Sequence, residues 1–203
     1  MAERDHVTVE RRAHGIQEAA SQAYDVMEGL FAWASPQMGT VAVTLCRVDL
    51  CAVVDGVLAG AAEAAAGKGI ALTSDCIGAY VEAHPDMLPA VLRNLVGNAV
   101  KFTRPGGAVT VTALRSGRQV SVLVSATGVG MPADKVADLF RLDRRVTTNG
   151  TAGERGTGVG LLLCRDLVER QGGTLTVEGV PGLGTTFSLG LPAAAVPEQD
   201  MAS

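Results

Sequence analysis

Aromatic side chains are scarce in this 203-residue chain, with one Trp, two Tyr and four Phe. Basic clusters are missing too, and a formal charge of −4 with a pI near 5.4 argues against a nucleic-acid surface. No uninterrupted apolar run approaches the roughly 18 residues that span a bilayer. The N-terminus MAERDHVTVERR has no apolar signal core, so the sequence reads as cytoplasmic, without membrane contact. Cys46, Cys51, Cys76 and Cys164 lack CxxC spacing and lie in apolar surroundings, which fits buried reduced thiols better than disulfides or a metal site. His6, His14 and His84 are equally scattered. What is present is a chain 47% apolar, ample for the core of one domain plus an appendage.

Ile16, Ala20, Ala23, Met27 and Leu30 recur at steps of four and three, the narrow stripe of a helix that needs a partner helix. After the break at Ser35–Gly39, the alternation of Val41, Val43 and Leu45 predicts a strand. Asp49 is placed to cap a helix ending near Gly67, and a short strand is expected over Ile70–Thr73. Asp86 is a second candidate N-cap, with Pro89 in the first turn that follows. In that helix Leu88, Val91, Leu92, Leu95, Val96 and Ala99 form one face, while Asn94, Asn98 and Lys101 stand in line beside it at i, i+4 and i+7. Taken alone, the polar line fits a solvated face as well as a ligand site.

Alternation at Val109, Val111, Ala113 and again at Val120, Val122, Val124 predicts a hairpin about Arg115–Arg118. It feeds into SATGVG at 125–130. A short helix over Pro132–Phe140, a polar lid over Arg141–Arg155 and a second loop, GTGVG at 156–160, lead into a helix ending at Gly172–Gly173. Strands are expected at Leu175–Glu178 and Thr185–Leu191, with a flexible tail from Ala193. A glycine loop opening a helix presents free N–H groups and the positive dipole end to an anion. A lone GxGxG also makes ordinary turns. The dinucleotide fingerprint fits poorly because its sixth position is Leu161, and no GxxxxGK[ST] occurs.

Together the motifs are far more specific. VLRNLVGNAVKFTRPGG at 91–107, TGVGMP at 127–132, LF at 139–140, GTAGERGTGVGLLLCRDLVERQGG at 150–173 and GLGTTFSLGLP at 182–192 follow in order. Over Val41–Pro192 the chain resembles the catalytic, ATP-binding domain of bacterial sensor histidine kinases, within the gyrase, heat-shock-protein-90, histidine-kinase and MutL ATPase superfamily. AYDVMEGLFAWASPQMG at 23–39 resembles the end of the second dimerisation helix. The resemblance implies an α/β fold, a two-layer Bergerat-type sandwich of mixed sheet on helices. It divides the chain into a partial dimerisation helix and linker at 1–38, a catalytic domain at 39–192 and a tail at 193–203. It also implies ATP/ADP and Mg²⁺ as ligands, a separate phosphoacceptor histidine domain and a response regulator as partners, and a homodimer through the N-terminal helix.

Carried over by position, Asn98 matches the Mg²⁺-ligating asparagine, Asn94 its companion near the phosphates, and Lys101 the basic residue that approaches them. Gly128 and Gly130 match the first glycine box, beside adenine. Gly156, Thr157, Gly158, Val159, Gly160 and Leu161 match the second, and Phe140 the aromatic box. An amide oxygen suits a hard cation and an ammonium balances phosphate.

Two departures bear on function. Ala126 stands where the family has the Asp that accepts a hydrogen bond from the adenine amino group. Ser125 and Thr127 are the neighbouring hydroxyls that could stand in, although Ser125 should point to the opposite face. The phosphoacceptor is also missing, since His14 is followed by Gly15 and Ile16 without the family's acidic residue and proline. The resemblance therefore implies a histidine protein kinase catalytic domain, weak or inactive alone, that transfers the ATP γ-phosphate to a histidine on another segment. The alternative is a degenerate, non-catalytic signalling module that works by binding protein.

Overall fold

The computed structural model describes residues 43–141, 148–154, 156 and 158–195. The expected N-terminal helix with its dimer seam, Val41, Thr157 and the tail beyond 195 lie outside the described residues.

The elements run β1 (Cys46–Asp49), α1 (Leu50–Gly67), β2 (Ala71–Asp75), β3 (Tyr80–Ala83), α2 (Met87–Phe102), β4 (Ala108–Ser116), β5 (Gln119–Ala126), α3 (Ala133–Asp138), α4 (Gly160–Arg170), β6 (Thr174–Val180) and β7 (Gly184–Pro192). Five strands form one sheet in the order β2-β4-β5-β7-β6, and β1 and β3 form a separate antiparallel pair. Only β2 runs parallel to its neighbour, so the large sheet is mixed. Helices α1, α2 and α4 cover its inner face, where Val109, Val111, Val120, Val122, Val124, Leu189 and Leu191 are all at most 1% exposed. This is the expected two-layer α/β sandwich.

Local chemistry explains most boundaries. Asp49 has extended backbone and accepts the Ala52 N–H at 3.1 Å, the N-cap read from sequence. Asp86 occupies the N-cap position of α2 but makes no side-chain cap bond. Its backbone is already helical, at φ −98° and ψ −33°, and its N–H donates to His84 Nδ1. The capping geometry, which needs extended backbone, is thereby lost. Among the described residues the predicted strand at 41–45 does not take in Val43 or Leu45, and the ladder starts at Cys46, where β3 supplies a partner in register Cys46↔Ala83. Ala193 and Ala194, assigned to the tail, are tied in: Ala194 is 2% exposed, and their N–H groups donate to Arg118 and Tyr80 carbonyls.

Helix α1 has the 18 residues and mean hydropathy, 1.5, of a bilayer span, which the sequence reading had not expected. Much of that hydropathy comes from alanines. Its buried Leu50, Val54 and Val57 belong to the core, while Asp55 and Glu63 face water.

Candidate functional site

The apolar face of α2 fixes its rotation: Leu88, Val91, Leu92, Leu95 and Val96 are at most 1% exposed and Ala99 4%. Asn94, Asn98 and Lys101 are thereby turned along one edge of the helix into a cavity of about 220 Å³. The end of β5 and the loop after it add Ala126, Gly128 and Gly130 to the wall. The second glycine loop and the start of α4 add Gly156, Gly158, Gly160 and Leu161. Residues up to 93 positions apart in sequence, from Asn94 to Phe187, thus enclose one space.

Backbone bonds hold the first loop. Val129 N–H donates to Phe102 O at 3.0 Å, and Gly182 N–H to Val129 O at 2.8 Å, joining the end of α2 and the β6–β7 turn. Gly130 sits at φ +67° with its Cα against the Val180 carbonyl, a place with no room for a side chain. At the other end, Gly160 lets α4 begin directly against the Asn94 amide.

Asn98 Nδ2 donates to Asn94 Oδ1 at 2.9 Å. That bond uses one amide's NH₂ and the other's oxygen, so Asn98 Oδ1 and Asn94 Nδ2 are the complementary groups left for a ligand. Burial lowers the Lys101 ammonium below its ordinary pKa, and the Glu154 charge partly opposes the shift. Among the described residues no group of three or more His, Cys, Asp or Glu could hold a metal ion.

The hydroxyls flanking Ala126 are engaged away from the cavity. Ser125 Oγ lies 3.1 Å from Thr186 Oγ1, on the face away from Ala126 as expected. Thr127 Oγ1 accepts the Ala108 N–H at 2.8 Å. Phe140 and Val159 do not line the cavity. Phe140 packs against the core beneath the Arg165 guanidinium, 5.5 Å from its ring centroid, and the neighbouring Leu139 takes the wall position; Val159 is 38% exposed. The sequence reading missed Lys135, Thr185 and Phe187, which also line it. The period-2 alternation Thr185, Phe187, Leu189, Leu191 held the signal for Thr185, because it puts that hydroxyl on the inward face of β7.

The sequence profile of the histidine kinase-, DNA gyrase B- and HSP90-like ATPase family matches residues 83–195. The chain belongs to this family. Within it, the chain is 40% identical over 110 residues to the circadian input-output histidine kinase CikA of Synechococcus elongatus, covering 54% of this chain and 15% of that protein. Among solved structures it resembles full-length ShkA in complex with AMPPNP, with a TM-score of 0.70 and 28% identity over 97% of this chain and 40% of that one. It also resembles the catalytic domain of the histidine kinase ThkA, with a TM-score of 0.63 and 26% identity over 73% and 95%. The chain spans less than a third of the curated histidine kinases it first matches. The likeness is to the catalytic, ATP-binding domain of those kinases.

Proposed function

We propose that this chain is the ATP-binding half of a two-component sensor histidine kinase, holding ATP so that its γ-phosphate is presented to a histidine on a separate dimerisation helix. The observation that carries this reading is the convergence of Asn94, Asn98 and Lys101 with both glycine loops on one cavity. Adenine would lie toward Ala126 and Gly130, and the phosphates toward Lys101 and the N-terminus of α4, whose free N–H groups favour an anion. Asn94 Nδ2 would donate to a phosphate oxygen. Mg²⁺ binds through few protein ligands and keeps its waters and the substrate's phosphates, so Asn98 Oδ1, left open by the bond to Asn94, would be the protein oxygen offered to it. When bound, the ion would neutralise charge on the β- and γ-phosphates. The chain's own contribution is positioning and exclusion of water.

In this reading a response regulator receives the phosphoryl group, the N-terminal helix pairs two copies, and the domain works in the cytoplasm. One observation favours weak catalysis or the alternative, a non-catalytic signalling module that binds protein: among the described residues no carboxylate lines the cavity, and Ser125 and Thr127 are engaged elsewhere. Calorimetric titration with Mg²⁺-AMPPNP, followed by [γ-³²P]ATP incubation with a separately supplied dimerisation domain, decides between them. Label on the added histidine supports the kinase. Binding without transfer, or neither, favours the module.

A further inference from the structure

Lys68 follows the last residue of α1, far in sequence from every residue placed in the cavity, yet its side chain is only 11% exposed. Its ammonium lies 2.8 Å from Val100 O and 3.0 Å from Lys101 O, carbonyls of the last turn of α2, of which Val100 O also takes the long capping N–H of Thr103 at 3.4 Å. The same nitrogen lies 2.6 Å from Thr151 Oγ1 and 3.1 Å from Glu154 Oε1. One cation therefore joins the end of α2 to the segment just before the second glycine loop.

That segment is a closed turn. Gly150 N–H donates to Glu154 O at 2.8 Å, and Glu154 Oε2 accepts the Ala152 N–H at 2.8 Å. Thr151 is fastened to α2 again, its N–H donating to Lys101 O at 3.0 Å and its hydroxyl to Thr103 O at 2.7 Å. The Lys101 side chain runs between this turn and the loop. A methyl added at Gly150 would meet Lys101 Cγ at 2.6 Å, and one added at Gly156 would meet Lys101 Nζ at 2.8 Å. The expected mobile lid thus does not include 150–154, which is bonded to the helix that carries the polar line.

We propose that the Lys68–Glu154 pair latches the 150–154 turn onto the end of α2, and that both are positioning residues that hold Lys101 and Gly156 at the phosphate end of the cavity. Lys68 is placed to act through carbonyls and the turn, without touching the nucleotide. This rests on the ATP reading above for what Lys101 contacts, but the latch itself exists without ligand.

The test uses the full chain with Glu154→Gln, Lys68→Met, the double variant and Lys68→Arg. Without nucleotide, amide hydrogen exchange at Gly150, Thr151 and Ala152 should quicken about tenfold or more in Glu154→Gln, while the centres of α2 and β5 keep their protection. With Mg²⁺, the preference for AMPPNP over AMP should fall about fivefold or more in either single variant, the range of ordinary coupling between sites. The double variant should lose little more, and Lys68→Arg should recover part of the loss. A lowered melting temperature with unchanged preference would mean a merely structural ion pair and would overturn the proposal, as would unchanged exchange at the turn. If Lys68→Met fails to fold, Glu154→Gln decides. If the unaltered chain binds neither nucleotide, the ATP reading falls and the positioning role with it, whereas the exchange measurement still decides the latch.

Discussion

Thr185 stands directly across from Ala126 in the β5–β7 ladder, and both line the cavity. Cross-strand partners share a face at about 4.5–5.5 Å between Cβ atoms, so this hydroxyl stands beside the Ala126 methyl at the cavity wall. Thr185→Val should therefore weaken AMPPNP binding by severalfold, by loss of one neutral hydrogen bond of about 1 kcal/mol. Calorimetry on the unaltered chain and the variant checks it.

Placing a carboxylate at position 126 should do more. Ala126→Asp is expected to tighten ATP by about 10- to 150-fold, the equivalent of a charge-assisted hydrogen bond of about 1.5–3 kcal/mol. GTP should gain far less, because its six-position carbonyl cannot donate to the new group. If both nucleotides gain equally, the base is not read at this position.

Asn98→Ala should remove the Mg²⁺ dependence of nucleotide binding while leaving the fold intact. Titrations of AMPPNP with Mg²⁺ and with EDTA should differ for the unaltered chain and converge for the variant. Persistence of the Mg²⁺ effect would mean that another group holds the ion.

The latch has an acid side. Burial raises the Glu154 carboxyl, but the N–H groups of Glu154 and Ala152 and the Lys68 ammonium more than offset it, and the net pKa lies below the ordinary 4.5. The stability it contributes is present above that value and lost as pH falls through the lower folded-state pKa. Glu154→Gln should cost about 2 kcal/mol near neutrality, below the range for fully buried pairs because Glu154 keeps 19% exposure. Urea melts of both proteins from pH 6 down to pH 3 should show that gap narrowing only on the acid side.

Gly130→Ala should destabilise the domain by about 2 kcal/mol or more, since it forces a side chain into positive φ against a backbone carbonyl. Thermal unfolding reads the effect directly. A neutral outcome would mean that the loop rearranges cheaply.

What could be read without coordinates was the repeating part. The face of α2, the β4–β5 hairpin and both glycine loops are local patterns, and helical spacing put Asn94, Asn98 and Lys101 in one line, although only the resemblance made that line a ligand site. Strand β3 escaped because Tyr80–Ala83 is four residues long and its partner β1 lies more than 30 positions upstream, so no local periodicity announces it. Lys68 escaped for a similar reason. A lone lysine after a helix looks like a solvated cap, and only tertiary packing brings Val100, Lys101, Thr151 and Glu154 to it. At Leu139–Phe140 it is Leu139 that lines the cavity. The short α3 gives too few turns to fix which of Leu139 and Phe140 faces inward.

The tie at Ala193 carries a consequence for how the domain can be joined to other chains. Val81 pairs with Val48 across one edge of β3 and bridges to Ala193 across the other, so the incoming and outgoing backbones flank a single residue, about 10 Å apart. The domain therefore hangs from one point, and neither attachment borders the cavity. Such neighbouring ends are the geometry that tolerates circular permutation and insertion into a host loop. A permutant opened at Gly117–Arg118, with a short Gly/Ser bridge between its former ends, should keep the sandwich and the cavity together.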